Sequence, residues 1–359
     1  MNKTFIHKKL LNSIICLIIS LGMLETGAYL IYSRQATGDE KSIIREISHP
    51  DNDLVVNNCV PHPYALYMPK PDLFAHGMKQ HNSLGFRGSE IDLSRNKYRI
   101  ACLGGSTTYS WTVKDPEYTY PRLMEKQLLA AGKNIEVINA GLPMGTSAEI
   151  LTTFHFRVLP LKPNLVILHT GLNDVFPTLM PDYKPDYTHD RHALIIQNKS
   201  FIRKFNFLLK SNIVQLMALG YLRHKGFIEG QASYVYPEHW NTQYWKTGET
   251  EDPQRYIGFR NNLKSLLAIC EKNKISVVLS ADNILAMPEY PALGRAYQKN
   301  VDIMQALAGE FSNTVFFDSR AINIPKNYFD DQCHLNREGE ELKAKAFAGF
   351  IIEQGFINK

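Results

Sequence analysis

From Tyr98 onward the chain alternates short apolar runs with stretches of helical spacing, and this rhythm restricts the possible folds more than any other feature. The runs are Tyr98–Leu103, Glu136–Asn139, Leu165–His169, Ile275–Ser280 and Thr314–Phe317. They are short and lack strict in/out alternation, the pattern of strands buried on both faces. Between them Tyr120–Gly132, Ser147–Leu159, Tyr256–Asn273, Ala296–Phe311 and Asn336–Gln354 have helical spacing, with Gly132 and Gly355 placed as stop signals. Strand–helix alternation of this kind specifies a parallel sheet covered on both sides. Right-handed crossovers then predict an α/β, three-layer, flavodoxin-like domain over residues 98–359, with a five-stranded parallel sheet of order 2-1-3-4-5.

The N-terminal region follows a different logic. Lys3, His7, Lys8 and Lys9 precede a mostly apolar segment, Leu10–Tyr32. As a helix at about 1.5 Å per residue it spans roughly 34 Å, enough to cross a bilayer with slight tilt. Basic residues ahead of it favour a cytoplasmic N-terminus and an exported body. Residues 1–35 therefore read as a stub and signal anchor, a membrane partner through residues 10–32. The rival is a cleavable signal peptide with its apolar core at Ile14–Leu24, cut after Ala28 to release a secreted form. Glu25 is the discordant residue, since a carboxylate is costly in hydrocarbon.

Residues 36–57 are polar and read as a linker, and 58–97 as a loop-rich lead-in. The stretch 175–253 interrupts the strand–helix rhythm and is too long for a plain connection. Within it Ser200–Leu222 looks helical, and Tyr234–Trp245 is dense in Tyr and Trp. A cap over the site, a sugar-binding face, a membrane-lying surface and a helical insertion packed on the flank all fit this segment. A formal net charge of +5 with no dense Lys/Arg stripe argues against nucleic acid as a partner. Cys16, Cys59, Cys102, Cys270 and Cys333 have no paired short spacing, which argues against a zinc site and for free, mostly buried thiols.

In a sheet of order 2-1-3-4-5 the strand order reverses between strands 1 and 3, and ligands bind outside the C-terminal strand ends there. The residues just past strand 1 are Gly104, Gly105 and Ser106, and those past strand 3 are Gly171, Leu172, Asn173 and Asp174; Gly141 follows strand 2. A hydroxyl, a carboxamide and a glycine N–H thus converge on one mouth, the set that acyl transfer needs. A serine nucleophile also needs a base oriented by a third group. "DDQCHLNREG", after strand 5, supplies His334 with Asp331 three positions earlier, and Asn336 is placed to cap the helix that follows. A phosphate-binding reading of "GGSTT" fails because the loop lacks the lysine that would neutralise a polyphosphate. Asp174 and His169 read as structural and packing residues.

The ordered set resembles the SGNH/GDSL hydrolase superfamily: "GGST" with Ser106, "NAGLPMG" with Gly141, "GLND" with Asn173, and Asp331 with His334. The resemblance implies Ser106 as nucleophile, His334 as base, Asp331 as its partner, and an oxyanion hole of Ser106 N–H, Gly141 N–H and the Asn173 amide. Gly105 departs from the Asp that many members carry, and Cys333 beside the histidine is unusual. "NSLGFRGSE" (Asn82–Glu90) is similar to a lead-in of a membrane-anchored subset, with a tight turn, an anchoring Phe86 and an Arg87 that either reaches the cleft or is paired for structure. The expected function is a serine esterase acting on an O-acyl, perhaps O-acetyl, ester of a glycan, lipid or small molecule, with no cofactor or metal implied. Two alternatives share the same residues: an O-acyltransferase modifying a surface polysaccharide, and an inactive glycan-binding module.

Overall fold

The computed structural model describes residues 3–36, 40–41, 44, 58–94, 96–191, 206–224 and 242–357. The chain divides into two compact units, one of residues 54–191 and 239–359, the other of residues 1–53 and 192–238.

The larger unit begins with two small antiparallel hairpins, β1 (Cys59–His62) with β2 (Leu66–Pro69) and β3 (Phe74–Ala75) with β4 (Met78–Lys79). The lead-in is therefore partly sheet rather than loop. Its Asn82–Glu90 turn is tied by Asn82 Oδ1, which accepts from Leu84 N at 3.0 Å and Phe86 N at 2.9 Å. Gly85 and Gly88 take φ of +79° and +106° there, the region that favours glycine. Arg87 is buried and donates to the carbonyls of Tyr109, Ser110 and Val113, so it holds the chain after Ser106.

The main sheet contains β5 (Tyr98–Gly104), β6 (Ile135–Gly141), β7 (Leu165–Thr170), β8 (Ser276–Ala281) and β9 (Thr314–Phe317), all parallel, in the order β6-β5-β7-β8-β9. This is the expected 2-1-3-4-5 order. Successive residues of each strand point to opposite layers. Ala101, Leu103, Val166, Leu168, Val277 and Leu279 pack with helices Ser147–Thr153, Ile257–Lys272 and Pro291–Glu310. Ile100, Cys102, Leu165, Ile167 and Val278 pack with helices Tyr120–Ala130 and Arg337–Glu353. Burial on both faces explains why these strands read as unbroken apolar runs.

Several boundaries differ from expectation for local reasons. The helix expected over Ser147–Leu159 ends at Thr153 and continues as a wider turn, Phe154–Val158, then a tighter one, Leu159–Leu161, that accommodates Pro160. The helix expected from Ala296 starts at Pro291, because proline suits the first helical position. Of the aromatic segment Tyr234–Trp245, residues 234–241 lie outside the described residues. Tyr244 and Trp245 sit on helix Thr242–Thr247 and pack against the core, Trp245 between Phe176 at 5.6 Å and Tyr290 at 5.2 Å. Both rings are partly buried in this packing.

In the smaller unit, helix Lys3–Gln35 contains Leu11–Gln35, among the described residues the one span long and apolar enough to cross a membrane. Helix Asn212–His224 lies against it; of the expected Ser200–Leu222 helix, residues 200–205 lie outside the described residues. Glu25, discordant in the sequence, caps that second helix: its carboxylate accepts from Ser211 Oγ and from Asn212 N at 2.7 Å. Arg223 closes the other end on Glu40 at 2.7 Å.

Candidate active site

The site is built where β5, β6, β7 and β8 end, on turns that the sheet register brings together. Gly104 closes β5 opposite Gly141 of β6 and His169 of β7. A Cβ on Gly104 would lie 2.1 Å from His169 O, and one on Gly105 2.5 Å from Asn173 Nδ2. Gly104, which does not take a positive φ, is required for this close approach to backbone, whereas the atom facing Gly105 is the end of a side chain that can shift. The same crowding is where an aspartate in place of Gly105 would force Asn173 to move.

Ser106 opens the short helix Ser106–Tyr109, with Gly105 as the capping residue and no side-chain cap. Its hydroxyl faces His334 instead: Ser106 Oγ is 2.7 Å from Nε2. The opposite ring nitrogen, Nδ1, is 2.6 Å from Asp331 Oδ2, and Asp331 Oδ1 accepts from the N–H groups of Cys333 at 2.9 Å and His334 at 2.8 Å. Burial pushes the Asp331 carboxyl up, but the hydrogen bond and charge of His334 and those N–H donors outweigh it and hold it at about 2. Asn336 caps helix Arg337–Glu353 by accepting from Gly339 N at 3.1 Å, which fixes the turn carrying His334. Cys333 packs its side chain against the core with Sγ 3.7 Å from His334 Nδ1.

The carboxamide of Asn173 stands over Gly105, and its Nδ2 donates to Gly145 O at 2.9 Å. Asp174 beside it is structural. It is buried and accepts from Ser147 Oγ at 2.5 Å, Ser147 N at 3.0 Å and Tyr187 OH at 2.9 Å. The N–H of Gly141, expected in the oxyanion hole, donates to Asn139 Oδ1 at 3.0 Å. Gly141 is needed for another reason: a Cβ there would lie 2.2 Å from Tyr109 N, so only glycine lets the helix of Ser106 pack on β6. His169 is fully buried between Tyr120 and Phe347, and burial, with Lys343 nearby, keeps its ring neutral.

Two buried charged residues under the site lie outside the motifs. Asp282 and Lys343 each bond to Thr107, the neighbour of Ser106. Asp282 had a legible signal, being the first charged residue after the fourth strand, at the edge that carries every other group. Among the described residues one group has metal-ligand chemistry: Asp331, Cys333 and His334, with ligand atoms within 4.8 Å of one another. An ion there would take the Nδ1 position already bonded to Asp331.

Burial drives the Asp174 carboxyl up from 3.8 to about 7 against its hydrogen bonds to Ser147 and Tyr187. Between those values the native state keeps a proton that the unfolded chain has lost, so this residue's contribution to stability falls as pH rises. At about 1.4 kcal/mol per unit, the expected swing is a few kcal/mol. The destabilisation caused by Asp174→Asn, from denaturant unfolding, should therefore be largest near pH 4 and shrink above pH 7. A cost that grows with pH would refute the proton assignment.

A doubly wound parallel sheet carrying these groups at its C-terminal edge is that of an SGNH-type hydrolase acting on esters. Residues 102–342 match the GDSL-like Lipase/Acylhydrolase family, and the chain belongs to it. No curated protein matches this chain. Among solved structures, an acetyl xylan esterase from Geobacillus stearothermophilus is 17% identical with a TM-score of 0.44, covering 74% of this chain and 97% of its own. The acetyl xylan esterase AlAXEase is 16% identical with a TM-score of 0.42, over 70% of this chain and 99% of that one. An alpha/beta hydrolase enzyme from the metagenome of Lake Arreo, Spain, is 14% identical with a TM-score of 0.42, over 73% and 97%.

Proposed function

We propose that the protein is a serine esterase that hydrolyses an O-acyl ester through Ser106, His334 and Asp331, exported and held at the membrane by residues 10–32. The observation that carries this reading is the continuous hydrogen-bonded line from Ser106 Oγ through both nitrogens of His334 to Asp331. His334 Nε2 takes the hydroxyl proton as Ser106 Oγ attacks the ester carbonyl carbon, and Asp331 holds the tautomer and the imidazolium that forms. The oxyanion would be met by the N–H of Ser106, which opens a helix and has no acceptor within it, and by the amide of Asn173. Gly141 N–H would join them only by leaving Asn139 Oδ1. His334 then returns the proton to the leaving alcohol, and activates water to release the acid.

The domain that performs this runs over residues 98–359, with the lead-in 58–97 bracing it through Arg87. An O-acyl group on a glycan, a lipid or a small alcohol is the substrate class. A fluorophosphonate probe should label the full-length protein at Ser106 alone, as read by mass spectrometry of the adduct. With a nitrophenyl acetate donor and a sugar acceptor present, free acetate should exceed acetylated sugar. Labelling elsewhere would refute the nucleophile, and excess transfer would refute hydrolysis in favour of the acyltransferase.

A further inference from the structure

Ser106 and Asn173 lie on different turns, one after β5 and one after β7, and the pairing of those strands runs only as far as Gly104 and His169, so a further tie between the turns bears on their separation. Asp282, on the turn after β8, touches both. Its Oδ1 accepts from Thr107 Oγ1 at 2.5 Å, and its Oδ2 accepts from Leu172 N at 3.0 Å. Thr107 directly follows Ser106, and Leu172 directly precedes Asn173. We propose that Asp282 is a positioning residue, which sets the distance between the attacking hydroxyl of Ser106 and the carboxamide of Asn173. The proposal rests on the esterase reading above.

The surroundings give this bridge its stiffness. Asp282 is 3% exposed, Thr107 6% and Leu172 7%, so water does not compete for either bond. The backbone of Asp282 is fixed as well, its carbonyl accepting from Tyr297 OH. From below, the buried Lys343 donates to Thr107 O at 2.9 Å, so Thr107 is gripped at both side chain and carbonyl. Burial pushes the Asp282 carboxyl up, opposed by its bonds to Thr107 and Leu172 and by the nearby Lys343. Neither ring nitrogen of His169 finds a hydrogen-bond partner among the described residues, and Nε2 stops 3.8 Å from Asp282 Oδ1. The carboxylate is thus committed to the two turns.

A carboxylate suits the position because two donors converge on it. A carboxamide has one acceptor oxygen, but it can still serve if that oxygen faces Leu172 N–H, since the Thr107 hydroxyl can turn and accept. Leu172 N–H has no such freedom. Removing both oxygens leaves two buried donors unpaired and frees the turns to drift. A misplacement of about 1 Å in a reacting constellation costs on the order of 10²-fold in rate.

The test is steady-state hydrolysis of nitrophenyl acetate by the full chain, comparing wild type with Asp282→Ala, Asp282→Asn, Thr107→Val, Asn173→Ala and the Asp282→Ala/Asn173→Ala double variant. Asp282→Ala should lower kcat by roughly 30- to 100-fold with KM within about twofold, and Asp282→Asn should recover most of the loss. If Asp282 acts through the placement of Asn173, Asp282→Ala should cost less than about threefold once Asn173 is already alanine. Losses that multiply in the double variant, or an Asp282→Asn as poor as Asp282→Ala, would overturn the proposal. Should Asp282→Ala fail to fold, Thr107→Val removes only one arm of the bridge, and a wild-type kcat in that variant overturns it equally. Full activity in Ser106→Ala would instead overturn the esterase reading, and this proposal with it.

Discussion

Ser106→Ala and His334→Ala, each made alone, should lower kcat/KM on a nitrophenyl ester by about 10⁴- to 10⁶-fold, and the double variant should be no slower than the worse single one. On the proposed mechanism the two groups act as one unit, because the hydroxyl is a weak nucleophile until His334 Nε2, at 2.7 Å, accepts its proton. Removing either ends the same step, so the losses cannot add. The folded state should survive both changes. Ser106 is 9% exposed and leaves its helix without a side-chain cap to lose, while His334 lies on a turn fixed independently by Asn336. Near-native melting temperatures with activity gone would be the expected pairing, measured by circular dichroism and ester hydrolysis on the same preparations. Losses that multiply would mean that serine and histidine serve separate steps.

Asn173→Ala should lower kcat by about 10²- to 10³-fold, equivalent to roughly 3–4 kcal/mol of transition-state stabilisation, while KM changes little. A donor aimed at the oxyanion matters only once charge develops there, so the ground-state complex barely registers its loss. The amide is well held in this role, with Nδ2 fixed on Gly145 O, Gly105 directly beneath it, and Leu172 N–H anchored on Asp282. With Gly141 N–H occupied by Asn139, the proposed mechanism gives the Asn173 amide a larger share of the oxyanion than a third of a three-donor hole. Michaelis–Menten analysis of the single variant separates the two constants. A rise in KM with kcat intact would assign Asn173 to substrate binding instead.

Much of this architecture was legible in the order of residues. The five main strands appear as apolar runs because both faces of each are covered, and the observed ends fall within two residues of those runs. The last strand, Thr314–Phe317, matches outright. Helix ends were less legible where a terminal proline or a switch of helix type intervened, as at Pro291 and after Thr153, since such choices follow packing more than periodicity. Ser106 and Asn173 could be singled out because each closely follows a strand end, and Asp331 and His334 because their spacing on the turn before the last helix suits a base and its partner. The role expected of Gly141 was less secure. A backbone N–H can be claimed by any neighbouring acceptor, and the side chain of Asn139, two residues away, claims this one.

The sequence by itself determined the fold class, the strand order and the edge of the sheet at which the chemistry gathers, because hydrophobic periodicity and crossover handedness leave few alternatives. Tertiary structure alone decided which polar groups became partners. Glu25 with the helix at Asn212, Asp174 with Ser147, and Asp282 between Thr107 and Leu172 are all such choices. The physical reason is that a buried hydrogen bond depends on a few tenths of an ångström between residues distant in the chain, and sequence spacing carries no record of that distance.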